Sequence, residues 1–179
     1  MFDVQAFYRA LDAQRTERGL TWPGVARELW DMSAELAKRR GEDHPIAAST
    51  LTNVAKRGDT TCQHALFMLR WLGRPPEDFV DDAPPATRAP LPLAGPDRRL
   101  RWHLHATPRR DVPGLYEALA ARRAERGVAW PILAREFHCG PSQLTGLRTA
   151  RFAVGMTLAM EITQWLERPA ADFVYAAQW

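Results

Sequence analysis

The chain of 179 residues holds only two cysteines, Cys62 and Cys139, too few for a disulfide framework, so a reducing cytoplasm is the expected setting. No apolar run approaches the roughly 18 residues of a membrane span. The first twenty residues include Asp3, Arg9, Asp12, Arg15, Glu17 and Arg18, which argues against a secretory signal. Also missing are a phosphate-cradling glycine loop, a nucleophile elbow and paired carboxylates on one helical face, so no enzyme is expected. His103, His105, His138 and Cys139 match no structural zinc spacing, and no metal or other cofactor is expected. Neither charge sign dominates: 24 basic against 21 acidic residues leave a net charge of +3. Such mild basicity permits nucleic-acid binding without demanding it. With 46% hydrophobic and 25% charged residues, the composition is that of a globular protein.

What is present is a repeat. A shift of 108 pairs Asp3–Leu29 with Asp111–Phe137, and 15 of the 27 positions are identical. They include Tyr8/Tyr116, Leu11/Leu119, Arg18/Arg126, Gly19/Gly127, Trp22/Trp130 and Pro23/Pro131. A shift of 94 pairs Trp71–Val80 with Trp165–Val174, with seven of ten identical. The 14-residue difference between the shifts marks an insertion in the first copy, over 31–45. Two copies are too few for a solenoid, so the sequence reads as a tandem duplication of one small unit. The expected units are 1–80 and 111–179, with a Pro- and Arg-rich linker over 81–110.

Seven of the 14 prolines lie between Asp81 and Pro113, which predicts a semi-extended segment outside either core. Its middle, Arg98 to His105, alternates enough for a short strand, with Trp102 and Leu104 packing on a neighbouring unit. A minor-groove arm carrying Arg98, Arg99 and Arg101 is the less favoured reading. Residues 1–80 carry 11 basic and 11 acidic groups, so the positive excess lies elsewhere, mostly in the linker.

Within each copy the apolar residues recur at helical spacing. Val4, Phe7, Tyr8 and Leu11 share one face behind an Asp3 cap, and Gly19 suits a left-handed helix end. Thr21 and Pro23 open a second helix bearing Val25, Ala26, Leu29 and Trp30. A third starts near Ala48, with Leu51 and Val54 inward, and a fourth runs from about Thr61 to Leu72. Pro75 to Val80 then forms a final turn with Phe79 plugging the core. The second copy repeats this through Leu115, Leu119, Ile132, Leu133, Leu144, Leu147, Leu158, Ile162, Leu166 and Phe173. Trp22, Trp130, Trp71 and Trp165 read as core wedges, the two cysteines as buried small hydrophobes, and Glu17, Glu28, Glu125 and Glu136 as solvent-face ion-pair partners. The expected fold is all-α, two tandem five-helix units.

In the second copy, Ala134 to Leu147 (AREFHCGPSQLTGL) has the spacing of a helix-turn-helix. Ala134 allows a close helix crossing, His138 to Gly140 make the turn, and Pro141 opens the third helix. With RWLGRPPEDFV and QWLERPAADFV closing the two copies, the chain resembles the lambda-repressor-like (Cro/C1, xenobiotic-response-element) helix-turn-helix family of bacterial transcriptional regulators. That resemblance implies a third helix in the major groove of double-stranded DNA. Its implied DNA-binding residues are Ser49, Thr52, Asn53, Lys56 and Arg57 in the first copy. In the second they are Ser142, Gln143, Thr145, Arg148 and Arg151. Ala48 and Gly146 lie on the same faces, and Thr21 stands at an implied phosphate clamp. The insertion is expected to extend the second helix of the first copy through Leu36 and Ala37 to Arg40. A protein-interaction module, with DNA reading lost, stays open as the alternative, as does a homodimer or protein partner.

Overall fold

A computed structural model describes residues 1–32, 46–95, 98–105, 113–149 and 153–178. The first half begins with α1 (Val4–Glu17), where Asp3 accepts the Ala6 N–H, and its end passes into Gly19 at φ +63°. Only a residue without a Cβ takes that left-handed turn cheaply. Next comes α2 (Trp22–Asp31), with the Thr21 hydroxyl accepting the Gly24 N–H and Pro23 in the first turn. Two short helices follow, α3 (Ala48–Thr52) and α4 (Val54–Arg57), before α5 (Cys62–Leu72), capped by Thr61. A 3-10 turn, Pro76–Phe79, then sets Phe79 against Phe2 and Phe7, with ring centroids 5.2–6.1 Å apart. The second half contains α6 (Leu115–Glu125), α7 (Trp130–Glu136), α8 (Pro141–Gly146) and α9 (Met156–Leu166), with a matching 3-10 turn at Ala170–Phe173. The extension of α2 expected through Leu36, Ala37 and Arg40 lies outside the described residues, as do Arg151 and Trp179.

The expectation of an all-α fold of two tandem five-helix units is corrected by a sheet. Strand β1 (Arg98–Trp102) pairs antiparallel with β2 (Val174–Gln178), Arg98 opposite Gln178 and Trp102 opposite Val174. The strand expected within the linker is therefore present, but its surroundings are not those of a linker. Leu100, Trp102 and Leu104 are buried in the common core. From α5, Gln63 donates to the Leu100 carbonyl (2.7 Å), and Arg70 donates to the carbonyls of Arg98 (2.9 Å) and Ala94 (2.7 Å). Across from β2, the outer edge of β1 is thus closed by side chains of α5.

The segment after β1 completes the second half. In the first half Phe2 bridges Val80, Asp3 N–H donates to the Phe79 carbonyl, and Phe7 N–H donates to the Asp3 carbonyl. In the second, Trp102 pairs with Val174, His103 N–H donates to the Phe173 carbonyl, and Leu115 N–H donates to the His103 carbonyl. Trp102 and His103 therefore stand where Phe2 and Asp3 stand, although the 108-residue match assigned Asp3 to Asp111. Hydrogen bonding, rather than sequence identity, decides which residues open the second half.

The halves meet about an internal two-fold. Residues 62–72 and 156–166 are counterparts at the shift of 94, and α5 packs on α9. Just before them Thr61 bridges Gly155, its own counterpart: Cys62 N–H donates to the Val154 carbonyl and Met156 N–H to the Thr60 carbonyl, both 2.8 Å. Those two bonds exchange under the repeat, so the contact is isologous, as in a symmetric dimer, but within one chain. Burial pushes the Cys62 thiol up to about 12, leaving it an inert packing group, whereas Cys139 is only half-buried.

Of the duplicated tryptophans, Trp71 is buried in the core as expected, whereas Trp22, Trp130 and Trp165 are half-buried and packed against it. Trp22 stacks on Tyr8 at 5.5 Å and carries the Arg15 guanidinium at 5.1 Å; Trp130 stacks on Tyr116 at 5.9 Å and carries Arg123 at 4.7 Å. Both are half-buried and sandwiched at the rim of their halves. Arg18 lies over Trp71, Arg126 over Trp165, Arg74 over Phe79 and Arg168 over Phe173. Each contact of this kind contributes roughly 0.5–1 kcal/mol. Glu28 is more than a solvent-face partner, since it takes both the Arg18 guanidinium and the Trp71 indole N–H, each at 2.7 Å.

One interface group is under tension. Glu77 is fully buried; its Oε1 accepts the Ala170 N–H at 2.7 Å, while Oε2 has no partner among the described residues. Burial holds its carboxyl above the usual carboxylate range, the Arg88 charge opposing only in part. A carboxyl with a raised folded pKa stabilises fully below its unfolded pKa, and that contribution is lost as pH rises through the folded value. Glu77→Gln keeps the acceptor and removes the charge. The variant is expected to be more stable than the parent near pH 8 by on the order of 1 kcal/mol, the gap closing towards pH 4 in urea unfolding. An equal gap at both pH values would refute the assignment.

Candidate nucleic-acid interface

The turn between α7 and α8 follows from five residues. Ala134 is buried and lets α8 cross close to α7; the Cys139 N–H donates to its carbonyl at 2.9 Å. His138 takes the left-handed conformation (φ +49°), an uncommon state for a residue with a Cβ, and reverses the chain. Pro141 then starts α8, and Leu144 and Leu147 are buried, the turn at Leu147–Thr149 lying against α6. In the first half Leu51 and Val54 are buried in the same way, and Gln5 of α1 donates to the Ala55 carbonyl at 3.0 Å. Matching the buried pairs aligns Ser49 with Ser142, Thr52 with Thr145 and Asn53 with Gly146.

Neither third helix is continuous. Asn53 ends α3 and begins α4, and α8 tightens after Gly146 into the 3-10 turn Leu147–Thr149. Inward-facing leucines fix the outer faces nonetheless. Ser49, Lys56 and Arg57 are exposed, with Thr52 and Asn53 half-buried beside them; Ser142, Gln143, Thr145 and Arg148 are all exposed. Arg151 lies outside the described residues. Ala48 is half-buried at the start of α3, while Thr21 is exposed at the start of α2.

Charge engagement separates two sets of cations. Five of the duplicated arginines, Arg15, Arg18, Arg74, Arg126 and Arg168, are held by carboxylates as well as by aromatic rings, and Arg123 by the Trp130 ring. Lys56, Arg57 and Arg148 make no ion pair among the described residues. Arg98, Arg99 and Arg101 are strand residues of β1, with Leu100 and Trp102 buried between and beside them, so an arm free to enter a minor groove is not what the segment forms.

Asp59 escaped sequence reasoning. It follows α4 by two residues and reaches across the two-fold: Oδ1 accepts the Thr60 N–H at 2.8 Å and the Thr157 N–H at 3.3 Å. With Gln143, Val154, Gly155 and Leu158 it lines a cavity of about 110 Å³. Its counterpart at the shift of 94 is Ala153, so this side chain also breaks the repeat's symmetry. No local pattern marks a cap that acts on the other half of the chain.

No family model, curated protein or solved structure matches the chain. Among the described residues, no helix is long and apolar enough to cross a membrane, and no group of three or more His, Cys, Asp or Glu is placed to hold a metal ion.

Proposed function

We propose that the chain is a sequence-specific double-stranded DNA-binding protein acting as a transcriptional regulator, in keeping with its resemblance to the helix-turn-helix family. The observation that carries this reading is the open outer face of both third-helix segments, bearing the cations Lys56, Arg57 and Arg148, on halves fixed by a two-fold backbone contact. A two-fold pair of such segments suits half-sites near one helical turn, about 34–36 Å, apart. Because Asn53 aligns with Gly146, the operator is an imperfect palindrome: an amide that fits an adenine edge stands opposite a position with no side chain.

Gel retardation on duplexes selected from a random pool tests this. Asn53→Ala is expected to weaken the selected site by about 1–3 kcal/mol and unrelated duplex hardly at all. Replacing Lys56 and Arg57 together by alanine is expected to weaken both alike and to reduce the salt slope by about 0.9 for each phosphate no longer neutralised. Absence of any retarded complex at low salt would refute the reading. The second reading, a protein-interaction module, draws on Gly146 and on the Asp59 carboxylate between the two segments, where it would repel phosphates.

A further inference from the structure

We infer that the two-fold face joins only unlike halves: it accepts a second half against a first half and rejects two copies of either, whether or not the chain binds DNA. The repeat gives each interface residue a counterpart at the shift of 94, so the contacts of a like pair can be read from the native ones. Glu77 is the first discriminator. Its Oε1 accepts the Ala170 N–H at 2.7 Å, and both residues are fully buried. Under the two-fold this contact maps onto Ala171 against residue 76, a proline with no N–H to donate. One side thus holds a donor with an acceptor, and the other holds neither. Two first halves would set each Glu77 against Pro76, leaving two buried carboxyls without that donor. Two second halves would set each Ala170 N–H against Ala171, leaving two buried donors without an acceptor. Each orphaned group weakens such a pair by roughly tenfold or more.

Asp59 gives the same answer independently. Its Oδ1 accepts the Thr157 N–H at 3.3 Å across the two-fold, and its carboxylate lies where a Cβ on residue 155 would stand. Gly155 has no Cβ, but its counterpart is Thr61. Two first halves would therefore drive each Asp59 into the Thr61 of the other. The counterpart of Asp59 is Ala153, so two second halves would leave both α9 starts without the acceptor that Asp59 supplies. The backbone bonds made by Cys62 and Met156, by contrast, exchange under the repeat and are common to all three pairings. The backbone supplies the contact, and two acidic side chains of the first half supply the choice. What the second half contributes is complementary: the missing Cβ of Gly155 and the N–H of Ala170.

The test converts each half to the other's residues within the full chain. Pro76→Ala with Glu77→Ala gives both sides the contact of a second half, and Ala170→Pro with Ala171→Glu gives both that of a first half. The 3-10 turns Pro76–Phe79 and Ala170–Phe173 follow Pro75 and Pro169 alike, so each new residue enters a backbone that its counterpart already occupies. Stability is read by urea unfolding at about pH 4, where the Glu77 carboxyl carries its proton and a buried charge does not enter. Each conversion alone is expected to raise the unfolding constant about tenfold. All four substitutions together restore one donor–acceptor pair and one proline–alanine pair, with the halves exchanged. That variant should come within about threefold of the parent, instead of the roughly hundredfold loss that independent effects would give. A four-residue variant as unstable as the product of the two conversions overturns the inference, as does either conversion that leaves stability unchanged.

Discussion

Trp102→Ala is expected to destabilise the protein by about 4 kcal/mol, the cost typical of removing a large aromatic side chain from a core. Trp102 is only 5% exposed, its indole N–H donates to the Cys62 carbonyl at 3.1 Å, and its backbone pairs with Val174. The side chain therefore joins the start of α5 in the first half to the end strand of the second. A urea titration checks this: the midpoint should fall while the slope stays constant, because the surface exposed on unfolding hardly changes. Trp102→Phe keeps most of the burial and loses the hydrogen bond, so it should cost nearer 1–2 kcal/mol. Were the segment a solvated linker, both variants would lie within about 0.5 kcal/mol of the parent, and that result would remove β1 from the core.

The second large effect concerns the two-fold contact. Helix α9 begins at Gly155, which supplies no side-chain cap, whereas Thr61 caps α5 through the His64 N–H at 3.2 Å. Asp59 of the first half supplies the missing acceptor to Thr157, and its carboxylate occupies the space a Cβ on residue 155 would need. Gly155→Thr is therefore expected to cost about 2 kcal/mol by displacing that carboxylate, and Asp59→Ala about 1 kcal/mol by uncapping α9. Combined, they should cost less than Gly155→Thr alone, because the introduced hydroxyl gains both the space and the cap role. A double-mutant cycle in urea should return a favourable coupling of about 1–2 kcal/mol. Strict additivity would show that Asp59 and Gly155 do not compete for one place.

Helix positions were legible because their determinants are local. Asp3, Thr21 and Gly19 each act within four residues of the backbone they cap or reverse, and Phe7, Leu11, Leu51, Leu144 and Phe173 declare themselves by spacing. The turn at His138 to Gly140 was legible for the same reason. The sheet was half legible. Arg98 to Trp102 alternates visibly, but Val174 to Gln178 holds two alanines and no clear alternation, and its pairing depends on a partner more than seventy residues away. A strand seen without its partner therefore looked like part of a linker.

The repeat itself misled at one point. Asp111 and Val112 match Asp3 and Val4 in identity, yet His103 and Leu104 take the corresponding hydrogen bonds. Similarity records descent, whereas position is settled by which backbone groups reach Phe173 and α6. At the candidate interface, burial of Leu51, Val54, Leu144 and Leu147 could be anticipated from their spacing, and with it the outward faces of Ser49 and Ser142. That Asp59 caps a helix of the other half could not be, because its partner Thr157 lies 98 residues away and only folding brings the two together.

The bridge between Thr61 and Gly155 has a consequence in mass action. A symmetric dimer held by the same pair of bonds would dissociate on dilution, and its folding midpoint would drift with protein concentration. Here both partners of the contact belong to one polypeptide, so pairing is unimolecular and its equilibrium is the same at nanomolar and micromolar protein. A cell making few copies of this chain would have as large a fraction of them paired as a cell making many. The halves also cannot exchange with those of another copy without opening the shared core, so each molecule keeps one fixed pairing of unequal partners.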